Sequence, residues 1–305
     1  MFNATAGVAL PRLLDGVLAA LRAAEAEVFQ VPARSAREAS DRVRELTRQD
    51  VCDAVIAAGG DGTFRAVASG AAGTTLPVGI IPLGTGNVLA HEIALRKRAR
   101  TVADVLLSGH ELGVRGGLVN GEPFFLMIGA GFDARVVSKL DYQTKRILGR
   151  AAYVYPVLKT LAEGPRTFDV EIDGRRFDAS WTVLSFARRY ASMFELVQDA
   201  GVGRDRLMAV VMEAGTRRAT ANHLVSLALG WLARPETRPA GVHVLPVNVA
   251  RIGRLSTAQI EIDGDAGGVS PVEISASGPS VRILVPARYV ADLTNRPANR
   301  LAYES

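Results

Sequence analysis

The spacing of apolar and polar positions changes character about a third of the way along the chain. In the first part, helical three-and-four spacing alternates with short apolar runs. Residues 11–26 read as an amphipathic helix opened by Pro11, 27–31 as a short strand, and 35–48 as a helix rich in arginine and glutamate. Strand 53–58, helix 64–72, strand 78–81 and helices 87–95 and 101–108 follow. Alternation of this kind predicts an α/β domain, a parallel sheet between helices. From Leu112 onward the pattern becomes a series of short β-rich runs at 112–119, 123–128, 168–172, 177–186, 207–212, 242–250, 257–262, 272–276 and 281–285. Between some of them stand Asn120-Gly121 and Asp173-Gly174, dipeptides that favour tight hairpins. Two helical stretches, 144–161 and 219–232, interrupt this mainly antiparallel second domain.

Two strand-to-helix junctions of the first part carry the chemistry. Val55 to Ala58 empties into Gly59-Gly60-Asp61-Gly62-Thr63, and Val78 to Ile81 into Pro82-Leu83-Gly84-Thr85-Gly86-Asn87. Glycines let main-chain N–H groups approach a ligand, and the following helix points unpaired N–H groups and its positive dipole end at the same place, which suits a polyphosphate. An aspartate in such a turn repels phosphate unless a cation intervenes, so Asp61 implies Mg²⁺ or proton transfer. Two such loops after neighbouring strands predict a nucleotide crevice.

At these two motifs the chain resembles the soluble lipid kinases that include bacterial diacylglycerol kinases and sphingosine or long-chain-base kinases, relatives of the NAD kinases. Asn3-Ala4-Thr5-Ala6-Gly7 is similar to that family's first phosphate loop, Gly129-Ala130-Gly131-Phe132-Asp133-Ala134 to its next element, and Glu261-Ile262-Asp263-Gly264-Asp265 to its Asp-Gly-Glu turn. The resemblance implies an NAD kinase-like α/β domain over residues 1–110, to which 286–305 return, and a β-sandwich lipid-substrate domain over 111–285, with the active cleft between them. It further implies ATP and Mg²⁺ as cofactors and a lipid alcohol as acceptor. On the nucleotide side it places Asn3, Thr5, Gly59, Gly60, Gly62, Thr63, Gly84, Thr85, Gly86, Asn87 and Asp265. The resemblance assigns the base to Asp61 or to Asp263, according to the branch of the family; Asp263 is the favoured one, with Asp61 beside Mg²⁺ and the γ-phosphate. Asp205 stands where some bacterial members hold a structural Mg²⁺. Asp133 reads either as a cleft residue or as a plain helix cap.

Departures from the pattern bear on substrate choice. Only Met1 and Phe2 precede Asn3, which shortens the first strand and predicts a missing sheet edge; Ala4 replaces a usual proline, Ala66 a frequent glutamate, and residues 185–192 lack the asparagine and glycines typical there. NAD kinase, which shares the glycine-aspartate turn, and a catalytically inactive lipid-binding homologue are the alternative readings.

Composition narrows the partners. With 48% hydrophobic and 22% charged residues, the 305-residue chain is globular in type. The longest apolar stretch, 224–233, is far short of the ~20 residues a bilayer span needs, and no signal peptide is read, so a cytoplasmic location, peripheral at the inner membrane face, is expected. The single cysteine, Cys52, is expected to pack inertly. A net charge of +5 suits an anionic membrane surface, with Arg96-Lys97-Arg98 and the helix around Leu224 to Trp231 as candidate contacts; aromatic-interleaved basic patches that would indicate nucleic acid are absent. The particular lipid and the oligomeric state are not legible.

Overall fold

The structure is a computed structural model that describes residues 2–3, 11–140, 144, 149–191 and 193–295. The chain divides into two compact units, one running to Arg115 and resumed from Pro279, the other comprising Gly116–Gly278.

The first unit contains β1 (Phe2–Asn3), α1 (Pro11–Ala23), β2 (Pro32–Ala33), α2 (Ala36–Gln49), β3 (Val55–Gly59), α3 (Asp61–Ala71), β4 (Val78–Pro82), α4 (Val88–Glu92), α5 (Ala99–Ser108) and β5 (His110–Arg115), then β20 (Ser280–Val285) and a helix over Ala287–Asn295. Its sheet has the order β2-β1-β3-β4-β20-β5; every neighbouring pair is parallel except β20 with β5. The apolar runs of β3 and β4 are almost entirely buried, as parallel strands covered on both faces must be.

Three expectations change here. No strand forms over 27–31, where Phe29 is 70% exposed; the edge is the two-residue β2. The short first strand costs the sheet no edge, because β1 lies between β2 and β3. Residues 281–285, expected with the β domain, form β20 and pair with β4 and β5, filling the place beside β4 with four buried apolar residues.

The second unit contains β6 (Gly117–Val119), β7 (Glu122–Phe124), β8 (Met127–Gly131), α6 (Phe132–Ser138), a helix over Val154–Glu163, β9 (Phe168–Ile172), β10 (Arg175–Ala179), β11 (Trp181–Ser185), β12 (Arg189–Tyr190), β13 (Phe194–Glu195), β14 (Leu207–Met212), a helix over Arg217–Ala228, β15 (Val242–Val247), β16 (Val249–Ile252), β17 (Gln259–Ile262), β18 (Asp265–Val269) and β19 (Val272–Ser275). Two six-stranded antiparallel sheets, β10-β9-β16-β19-β6-β7 and β15-β14-β11-β8-β17-β18, enclose one apolar core that includes Ile128, Phe168, Ile172, Leu184, Val211 and Ile274.

Besides 112–119, which splits at Gly116 into β5 and β6, three predicted long strands of the second unit are each two strands of different sheets. The run 177–186 breaks at Ser180, 242–250 at Asn248, and 123–128 at Phe125–Leu126. Apolar periodicity continues through these corners because both sheets face the same core, so the pattern gives no sign of the switch. At Ser180 the N–H bonds the Met212 carbonyl, whereas at the other two corners main-chain N–H groups turn to side chains, since buried N–H groups must be satisfied.

Candidate functional site

In the first unit the two glycine turns cross. A Cβ on Gly84 would come within 2.6 Å of Gly60 Cα, so neither a larger residue nor a wider turn fits at that point. The Leu83 and Gly84 N–H groups both donate to the Gly59 carbonyl, at 3.0 and 3.3 Å, which ties the second turn to the end of β3. Asn87 takes a left-handed conformation and is buried; its Oδ1 accepts from Gly84 N–H at 3.0 Å and its Nδ2 donates to the Gly84 carbonyl. This side chain shapes the turn from within.

Helix α3 begins at Asp61, three residues earlier than predicted, so Asp61, Gly62 and Thr63 form its first turn. Its N-cap, Gly60, supplies no side-chain cap, and the first helical bond is Phe64 N–H to the Gly60 carbonyl. The N–H groups of Gly62 and Thr63 therefore have no carbonyl within the helix, and the dipole end is open to an anion. Asp61 reaches across to the second turn. Its Oδ2 accepts from Val88 N–H at 2.9 Å and its Oδ1 from Leu89 N–H at 3.1 Å, capping α4. Gly86 lies alongside, 3.5 Å from Asp61 Oδ2 for an added Cβ. Thus Gly59, Gly60, Asp61, Gly62 and Thr63 are brought together with Gly84, Gly86 and Asn87, and Thr85 sits half-buried between them. Asn3 ends β1 in the same sheet, and Thr5 falls outside the described residues.

Asp263 is placed otherwise than a free base would be. Asp263 and Gly264, with φ of 50° and 87°, form the two-residue turn between β17 and β18, the same conformation as Asn120-Gly121 and Asp173-Gly174. Its carboxylate is 2% exposed and accepts three consecutive N–H groups: Phe125 on Oδ2 at 3.0 Å, and Leu126 and Met127 on Oδ1 at 2.9 Å each. Those donors come from the corner where β7 gives way to β8. Asp173 performs the same service at the corner after β15, accepting from Asn248 and Val249 N–H at 3.0 and 2.8 Å. Asp263 thus anchors this corner through three main-chain N–H groups, an arrangement that the motif reading, which expected it as base, did not foresee.

Asp265 is exposed at the start of β18. Asp205 is a left-handed residue before β14, and no group of three or more His, Cys, Asp or Glu able to hold a metal occurs among the described residues. Cys52 is half-buried, its thiol pushed up by burial and by Asp53 and Asp50.

An acidic pair on the outer face of the second sheet joins Asp133 to Glu261, to which the motif reading gave no role. Glu261 on β17 pairs across the ladder with Gly129 on β8 and is 3% exposed. Asp133, in the first turn of α6, is 6% exposed; its Oδ1 accepts the Tyr190 hydroxyl, and its Oδ2 is buried with no hydrogen-bond partner among the described residues. Burial, then the charges of Asp133 and Asp263, push the Glu261 carboxyl well above the usual range. Burial raises Asp133 to about 6, against the lowering effect of the Tyr190 hydrogen bond. Alternation with the core-facing Ile260 and Ile262 points Glu261 to the outer face, so the sequence pattern carried no sign of its burial.

Residues 1–119 match the diacylglycerol kinase catalytic domain family. The chain is 28% identical over 280 residues to a diacylglycerol kinase of Staphylococcus saprophyticus, covering 89% of each chain. It is 26% identical over 259 residues to an uncharacterised protein of Synechocystis, covering 82% of this chain and 60% of that one. A crystal structure of a diacylglycerol kinase from Bacillus anthracis strain Sterne has the same fold, with a TM-score of 0.69, 16% identity and coverage of 94% of this chain and 96% of that one. The catalytic-domain match over residues 1–119 and the relatives along most of its length make this chain similar to the diacylglycerol kinases.

Proposed function

We propose that the protein transfers the γ-phosphoryl group of ATP, with Mg²⁺, to a hydroxyl of a membrane lipid such as diacylglycerol or a sphingoid base. The observation that carries this reading is the crossing of the two glycine turns at the uncapped start of α3, where Gly62 and Thr63 N–H groups and the helix dipole favour a phosphate. Main-chain N–H groups of 60–63, with the Thr63 and Thr85 hydroxyls, hold the nucleotide phosphates in this scheme. The donor set fits an ion carried by those phosphates better than one caged by protein, since Asp61 already caps α4 and offers its remaining lone pairs only. Mg²⁺ then neutralises the phosphate charge near Asp61, and Asp205 alone gives a structural Mg²⁺ one carboxylate. Phosphoryl transfer through a loose transition state asks the protein chiefly for positioning, which suits two aspartates that each lock a turn.

The lipid is assigned to the second unit and the protein to the membrane surface, as a peripheral enzyme of the cytoplasmic side. Supporting this, the helix over Arg217–Ala228 exposes Arg217 and Arg218 at its start, and Val225, Leu229 and Trp231 are exposed towards and beyond its end, a combination of basic and apolar surface groups that interfacial segments carry. No described helix is long and apolar enough to cross a membrane.

The test is transfer of labelled γ-phosphate from MgATP to diacylglycerol, a sphingoid base and ceramide in mixed micelles, with NAD alongside. Label in a lipid that disappears in Gly84→Val supports the proposal. Label in NAD, or ATP binding with no transfer to any lipid, overturns it.

A further inference from the structure

Glu261 and Asp133 meet over Gly129. A Cβ on Gly129 would overlap Asp133 Oδ2 and come within 2.8 Å of Glu261 Cγ and 3.1 Å of its Oε1, so only glycine leaves room for both carboxyl groups. Each is also tied to another segment. Asp133 Oδ1 accepts the hydroxyl of Tyr190 on β12, and Glu261 Oε2 accepts the N–H of Gly264 at 2.9 Å in the Asp263–Gly264 turn. Tyr190 packs edge-on to Trp181, with ring centroids 6.0 Å apart, and Trp181 in turn packs on Phe132 at the start of α6.

We infer that Asp133 and Glu261 share one proton across Gly129, and that this proton positions both Tyr190 and the Asp263–Gly264 turn. Two carboxylates without a proton between them offer Asp133 Oδ2 only acceptors, and that oxygen is the buried one left without a partner. One shared proton supplies the missing donor and removes one of two like charges from a dry site, where both cannot ionise together. The charged groups facing the pair are acidic or neutral: Asp263 and Asp265 from the turn, and Tyr190 with Tyr153 acting on it. The basic residues of α6 point elsewhere. Arg135 bonds the Gly164 carbonyl at 2.9 Å and Glu163 at 2.7 Å, and Lys139 lies 3.0 Å from Glu163. The raised ionisation of both carboxyls has this same origin.

These are positioning residues. That their proton bears on phosphoryl transfer rests on the function proposed above; the shared proton itself does not. The test therefore reads both. Carboxyl carbons of the wild-type chain, labelled selectively in Asp and Glu, are followed by NMR from pH 4 to 9, and lipid phosphorylation by wild type and Glu261→Gln is measured over pH 6 to 9. One Asp and one Glu titrating together at or above pH 6, with a coupled shift of the Tyr190 ring resonances, is the expected result. The activity profile of wild type then falls on its alkaline side, and that of Glu261→Gln, which keeps the Gly264 acceptor and cannot ionise, is flattened. All carboxyls titrating independently in the ordinary range overturns the inference even if the enzyme is active. A shared titration in a chain without kinase activity sustains the proton and sinks only the kinase reading. Asp133→Asn provides the same comparison should Glu261→Gln not fold.

Discussion

The glycine crossing of the first unit and the acid-lined turn of the second are built by opposite means. At the crossing, side chains are absent where the two loops touch, at Gly60 and Gly84, and main-chain N–H groups are left available at the start of α3. At the second turn, acidic side chains take up four main-chain donors and one hydroxyl. Asp263 takes three N–H groups, Glu261 takes Gly264, and Asp133 takes Tyr190. Open donors make a binding site, and saturated donors make a scaffold. An invariant-looking aspartate therefore has no single meaning, because Asp61 sits in the first arrangement and Asp263 in the second.

Substitutions can break this contrast in order of expected size. Gly84→Val drives a branched side chain into Gly60 and displaces the phosphate turn; since misplacement on the order of 1 Å can cost roughly 100-fold in rate, kcat for lipid phosphorylation should fall at least that far. Circular dichroism should meanwhile keep the β signal of the second unit. Asp263→Ala leaves three buried N–H groups unpaired, and with each orphan costing about 1–3 kcal/mol the unfolding free energy should drop by roughly 3 kcal/mol or more in urea denaturation. A lone catalytic base would instead lose rate at unchanged stability. Asp61→Asn removes the charged cap of α4 and should cost about 1 kcal/mol, with weakened MgATP binding by calorimetry.

The smallest effect is one of pH. Asp133 is raised to about 6 in the folded chain, so the native state holds its proton over a range in which the unfolded chain has released it. Its contribution to stability is thus fully present below the ordinary carboxylate range and is lost as pH rises through about 6. Melting temperatures of wild type should decline over that interval relative to the Asp133→Asn, Glu261→Gln double variant, whose curve should be flatter. Parallel curves would remove the acidic pair from the account.

How much of this was legible follows from what each region is made of. The two glycine turns announce themselves because glycine, proline and asparagine are required by backbone geometry at fixed offsets after apolar strands, and the structure has both turns within a few residues of the expected positions. The N-terminus of α3 was misplaced because Gly62 and Thr63 look like loop residues, although they form the first helical turn. In the second unit, alternation gave the strands but not their breaks at Ser180, Asn248 and Phe125–Leu126, since the same core lies under both sheets. Asp263 was read for chemistry through its motif, and what holds its carboxylate, a corner 137 residues earlier in the chain offering its N–H groups, is a tertiary contact. Glu261 was invisible for a related reason: what permits a buried glutamate is the absence of a side chain on Gly129, its cross-strand partner.

The claim that open main-chain donors at the glycine crossing form the nucleotide site is tested most directly by amide hydrogen exchange with and without MgATP. The account predicts slowed exchange in peptides spanning 60–64 and 83–87, with the amides of 125–127 equally slow in both states because Asp263 already holds them. Unchanged exchange at both glycine turns under saturating MgATP, with protection arising at another segment, would contradict it.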